Sequence, residues 1–209
     1  MLCGCYINYS NKYFICKSCY TKHIEYNKTL YERHTYQIGS IDKVYYAIKY
    51  TGRPKKALQK FKFGDKPFYG QTFARILYEA CKNEAFIKNV DIVTCVPSTK
   101  KHMRQRGYNQ ADIIAKAFCE YAHLNYASDL LIKTNDTLPM SKLTKAKRFK
   151  HIKNAFNYND NHILFDAHVL LIDDVYTTGA TTGECARVLK RKGVEKVTVL
   201  TVFSNDYGI

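Results

Sequence analysis

Apolar residues fall in short unbroken runs and, between those runs, at helical spacing. Val169, Leu170, Leu171 and Ile172 make a run too short for a helix, which predicts a strand buried on both faces. Residues 197–203 form a second such run and 91–96 a third, closed by Pro97, with a further strand expected near 129–134. Within 70–88, Phe73, Ile76, Leu77 and Ala80 share one helical face, with Phe86 near the end. Asn109 opens a second helix, whose face is Ala111, Ile114, Ala115 and Phe118; a third spans about 183–192 and ends at Gly193. Strands separated by helices from residue 70 onward predict an α/β fold: a mostly parallel sheet with helices on both faces and a ligand crevice at the carboxyl ends of its strands. Upstream, Val44, Tyr46 and Ile48 nearly alternate, as in a strand that pairs with a smaller N-terminal unit or covers the main site. The expected organisation is a small module over 1–35, a connecting segment over 36–69 and the α/β domain over 70–209.

Composition narrows the function classes. Over 209 residues, 46% hydrophobic and 14% aromatic content argue against disorder. Lys and Arg number 33 against 18 acids, a formal charge of +15 that favours polyanionic partners. A biased composition, rich in Lys, Asn, Ile and Tyr and without Trp, is the alternative source of that charge. The cations cluster, however: residues 1–60 hold eleven Lys and Arg against three acids. The N-terminus has no basic start leading into an apolar run, and no stretch reaches membrane-spanning length, so a cytoplasmic protein is expected.

The run at 169–172 leads into the most informative stretch, VLLIDDVYTTGATT. A helix N-terminus presents backbone N–H groups without intrahelical partners, and a phosphate monoester docks there when small residues let it approach. Gly179 and Ala180 leave room, and Thr177, Thr178, Thr181 and Thr182 offer hydroxyls. Phosphate alone would not call for Asp173 and Asp174. A neighbouring ribose would, because its hydroxyls donate well to carboxylates. The alternative is an ordinary strand-to-helix turn capped by Thr. A second candidate segment follows the 91–96 strand: residues 98–110 hold four cations and no acid. Ser98, Thr99, Lys100 and Arg106 there are suited to a pyrophosphate, provided that backbone N–H groups are free.

The apolar strand, acid pair and TTGAT resemble the signature of type I phosphoribosyltransferases. The Val-Pro dipeptide followed by RGYNQ (106–110), with Lys62-Phe63-Gly64 and a cysteine-rich N-terminus, is similar to the competence-associated ComF (ComFC) branch of that superfamily. The resemblance implies a type I phosphoribosyltransferase-like sheet that binds phosphoribosyl pyrophosphate (PRPP) with Mg2+. It puts Asp173 and Asp174, the candidate catalytic pair, on the ribose hydroxyls and wraps Thr177, Thr178, Gly179, Ala180 and Thr181 around the 5-phosphate. It further implies a mobile loop over 138–156 and a role in natural transformation beside a helicase-like partner. The chain departs from the pattern in having no matching glutamine in that loop and in placing His151 where asparagine is expected. Thr177 also stands where purine-salvage relatives place an aspartate base, which argues against purine salvage. Two functions follow: a DNA-uptake protein that binds PRPP and single-stranded DNA, or an active enzyme that transfers phosphoribose to an unidentified nitrogen acceptor.

In a reducing compartment, regularly spaced cysteines are read as metal ligands. Cys3, Cys5, Cys16 and Cys19 form two knuckles fit for a structural Zn2+, although the first has a single intervening residue and His23 is a possible substitute. Four surface thiols are the alternative. Cys81, Cys95, Cys119 and Cys185 read as small core residues. Around the knuckles, rings alternate with cations, and Lys12, Tyr13, Lys17 and Lys22 are candidate contacts for a single strand whose bases stack on aromatic rings. Tyrosines filling a small core between solvated lysines would give the same pattern.

Overall fold

The computed structural model describes residues 16–21, 30–33, 39–64, 66–134 and 145–205. In chain order the elements are α1 (Lys17–Tyr20), β1 (Tyr31–Arg33), β2 (Lys43–Lys49), α2 (Gly52–Phe63), α3 (Tyr69–Cys81), β3 (Ile92–Cys95), α4 (Lys100–Arg106) and α5 (Gln110–Ala122). They continue with β4 (Leu131–Lys133), α6 (Lys145–Ile152), β5 (Phe156–Tyr158), β6 (His168–Tyr176), α7 (Ala180–Arg191) and β7 (Lys196–Ser204).

Two-residue periodicity explains the layers. Along β6, Leu170 and Ile172 enter one core, shared with α2, α3 and α5, while Val169 and Leu171 enter another, shared with α6 and α7. A strand covered on both faces must be apolar along its covered run, as Val169, Leu170, Leu171 and Ile172 are. Among the described residues the main sheet has five strands in the order β1-β2-β7-β6-β3. Its β2–β7, β7–β6 and β6–β3 pairs are parallel, and β1 joins β2 antiparallel. The expected α/β class, a mostly parallel sheet flanked by helices, is therefore what the chain forms, and the parallel strands bring their carboxyl ends to one edge.

Several local expectations change. The β2 segment pairs with β1 from the expected 1–35 module, one of the two alternatives above, but it also pairs with β7 as a full member of the main sheet. The strand expected at 129–134 forms as β4 but pairs antiparallel with β5 in a separate ribbon. The helix expected over 70–88 stops at Cys81, and Phe86 sits in a following 3-10 turn, stacked on Tyr45 with ring centroids 4.7 Å apart. Within residues 98–110, α4 forms over 100–106 and Met103 N–H donates to the Thr99 carbonyl (2.9 Å), while the first-turn N–H groups of a helix keep no intrahelical partner. In the expected mobile loop, residues 145–152 form α6, anchored by the fully buried Ile152. Asn154 N–H ties the end of this segment to Glu184 on α7 (2.6 Å).

Candidate functional site

The site lies where β6 meets α7. Asp173 pairs with Thr201 of β7 and Val175 with Phe203, which puts both acids at the carboxyl end of β6. The Asp174 N–H donates to Asp173 Oδ1 (2.8 Å), a backbone bond that fixes the Asp173 side chain. Beyond Tyr176 the backbone turns through Gly179, whose φ of 75° is left-handed and suits a residue without Cβ, and α7 begins at Ala180. Asp173, Val175, Tyr176 and residues 177–182 line a concavity of about 310 Å³ including its open mouth. Thr178 Oγ1 accepts from Ala180 N–H (3.4 Å) and Thr182 Oγ1 donates to the Gly179 carbonyl (3.3 Å). The first-turn N–H groups of α7 point along the helix axis towards this space, where an anion is favoured.

Electrostatics divide the acid pair. Loss of solvent, then the charge of Asp174, pushes the Asp173 carboxyl up to about 7, against the opposing pull of Lys62, of the Asp174 N–H and of Lys133. Asp174 is 6% exposed, and Lys62, in the last turn of α2, meets both its oxygens at 3.0 and 2.9 Å. Burial raises the phenol of Tyr50, which is adjacent to this pair. It also pushes that of Tyr176 up to about 12, and the guanidinium of Arg33 lies 5.0 Å from the Tyr176 ring. Arg33 donates to Ser204 Oγ (2.6 Å) and to the Asn205 carbonyl, and so clasps β1 to the end of β7 beside the site.

Thr177, Thr178, Gly179, Ala180 and Thr181 line the concavity together with Asp173, whereas Asp174 is not among its lining residues and its carboxylate is held by Lys62. Ser98, Thr99 and Arg106 are not among the residues lining the concavity, and Lys100 opens α4. The RGYNQ segment acts as a brace. The Arg106 guanidinium lies 4.9 Å from the Phe63 ring and donates to Gln110 Oε1 (3.3 Å), Tyr108 O–H donates to the Phe61 carbonyl, and Asn109 Nδ2 donates to the Val96 carbonyl (3.0 Å). It thus ties the ends of α2 and β3 to the start of α5. Sequence reasoning missed α2 itself, although Ala57, Leu58 and Phe61 have helical spacing. It also missed Arg33 and the partnership of Lys62 with Asp174, for which no local pattern exists.

Of the knuckle cysteines, Cys16 and Cys19 are described: Cys19 N–H donates to Cys16 Sγ (3.4 Å), so Cys16 caps the start of α1. Cys3, Cys5, His23, Lys12, Tyr13 and Lys22 lie outside the described residues, and Lys17 is exposed on α1. Among the described residues no three His, Cys, Asp or Glu side chains gather as a metal centre would require. Cys81, Cys95, Cys119 and Cys185 are buried, as expected, with their thiols pushed up by loss of solvent, to about 12 for Cys95 and Cys119. No described helix is long and apolar enough to cross a membrane.

Fold and site together define an α/β protein whose acid pair and hydroxyl-lined turn sit at the carboxyl edge of a mostly parallel sheet. Curated homologues carry competence and DNA-utilization names. Competence protein F of Haemophilus influenzae is 30% identical over 146 residues, covering 68% of this chain and 64% of that protein. DNA utilization protein YhgH of Escherichia coli K12 is 30% identical over 109 residues (52% and 47%), and Competence protein ComFC of Bacillus subtilis 29% over 153 residues (69% and 56%). The chain is thus a homologue of the ComF and ComFC proteins, and it spans about half to just under two thirds of these relatives' lengths. No family model matches. Solved structures align loosely, among them an adenine phosphoribosyltransferase (TM-score 0.44, 13% identity, 69% of this chain and 75% of that one). Another is that of Saccharomyces cerevisiae (TM-score 0.43, 12% identity, 91% and 90%).

Proposed function

We propose that this chain serves a ComF-like role in natural transformation, on the cytoplasmic side with a helicase-like partner. In this reading it binds PRPP with Mg2+ at the acid pair and the 177–181 turn, and single-stranded DNA through a zinc module on Cys3, Cys5, Cys16 and Cys19. The observation that supports the PRPP half is the Asp173 carboxylate lining an open, hydroxyl-rich helix start: an acceptor for a diol stands beside donors for a phosphate. Mg2+ would neutralise the pyrophosphate and assist its departure. Competence names among the homologues support the DNA half, as does the formal charge of +15.

Calorimetric titration of the full chain with PRPP and Mg2+ tests this reading. Saturable binding is expected. Asp174→Asn should weaken it by about tenfold or more, the worth of a lost charge-assisted hydrogen bond, while oligonucleotide binding is spared. Absence of PRPP binding would sink the reading, and equal loss of both ligands would mean one shared site. The open mouth leaves room for an acceptor, so phosphoribosyl transfer is the second reading. Pyrophosphate release in the presence of bases or oligonucleotides would establish it, and no release with any acceptor would remove it.

A further inference from the structure

Lys62 is paired with Asp174, the second acid of the pair at this site. Asp174 is buried, and both its oxygens are taken by a single ammonium at 3.0 and 2.9 Å. A ribose cannot use that carboxylate fully while the ammonium remains, and an ammonium pulled from its partner in a site this dry needs another anion at once. Lys62 stands in the last turn of α2, two residues before the C-cap at Gly64, on a flexible four-carbon stem. Its side chain is 22% exposed and that of Asp174 8%.

We propose that Lys62 is a displaceable counter-ion that selects for sugar phosphates bearing a second anionic group beside the diol. When the diol or an incoming cation takes Asp174, the Lys62 ammonium transfers to that anionic group, which for PRPP is the 1-pyrophosphate. A ligand without it, such as ribose 5-phosphate, must leave Lys62 in place or strand it. This inference rests on the sugar-phosphate reading above and adds a specificity-determining residue to the same site. A purely structural strut between α2 and β6 would favour neither ligand.

The test compares PRPP with ribose 5-phosphate by calorimetry on the full chain, in the wild type and in Lys62→Met and Lys62→Arg, with circular dichroism confirming the fold. The wild type should prefer PRPP. Lys62→Met should lower PRPP affinity about tenfold or more, the worth of a charge-assisted contact, and change ribose 5-phosphate affinity little, whereas Lys62→Arg should retain the preference. Should the methionine variant fail to fold, Lys62→Gln, which keeps a hydrogen-bond donor to Asp174, takes its place in the same comparison. Equal losses for both ligands, or an unchanged preference, would overturn the inference while leaving the sugar-phosphate reading intact. A wild type that binds neither ligand would overturn both.

Discussion

His168, the first residue of β6, has both ring nitrogens engaged: Nδ1 faces the Asn89 carbonyl (2.9 Å) and Nε2 the Thr198 hydroxyl (2.8 Å). A carbonyl only accepts, so Nδ1 carries the proton, and Nε2 accepts from Thr198 in the neutral ring. Burial lowers the pKa below its ordinary 6.5, with Lys196 adding to the effect and Asp91 and Asp42 opposing it. The folded chain therefore takes up this proton less readily than the unfolded one. The stability it contributes is full above about pH 6.5 and is lost as pH falls from there through the folded-state value. Urea denaturation between pH 5 and 8 should show this acid limb, and His168→Gln should flatten it; an unchanged limb would assign it elsewhere. Among single residues, the acid pair was legible from its place between an apolar strand and a threonine-rich turn. Lys62 was legible as a cation able to meet pyrophosphate or an acceptor, or else to lie at the surface, but its hold on Asp174 was not, because that partner lies 112 positions away.

At the scale of elements, the start of α5 illustrates how one side chain closes several gaps. Asn109 accepts from Ala111 N–H (3.2 Å) as the helix cap and donates through Nδ2 to the Val96 carbonyl at the end of β3. Asn109→Ala should cost about 1–2 kcal/mol in chemical denaturation, since it removes a cap and leaves a carbonyl unpaired. Asn109→Asp, which keeps the cap and loses the donor, should fall between; an alanine variant as stable as the wild type would show that the cap is redundant. The cap was readable because capping is local. The brace that RGYNQ makes between α2, β3 and α5 was not, because it depends on which helix ends stand nearby. The same distinction accounts for α2, whose apolar positions fit a helix but whose Gly52 and Pro54 interrupt the pattern at its start.

At the scale of the whole molecule, the excess of cations makes nucleic-acid binding sensitive to salt. If single strands are held through phosphates and the zinc module, the logarithm of affinity for a labelled oligonucleotide should fall linearly with the logarithm of salt concentration. Stripping zinc with a chelator should then lower that affinity further while PRPP titration remains intact. Salt-independent affinity, or joint loss of both ligands, would contradict this division of labour. The order of residues alone determined the strands and helices around the site, the acid pair and the turn that follows it, since strand burial, helix faces and the room that glycine leaves are properties of neighbouring residues. It also determined the α/β class, because alternating elements with continuous apolar strands have few ways to cover both faces. Only the tertiary structure decided that β2 enters the main sheet while β4 leaves it, that a helix, α4, forms within the expected anion segment, and that Asp174 is held by Lys62. Those outcomes depend on which surfaces and charges remain unpaired once distant segments meet, and local periodicity carries no record of that.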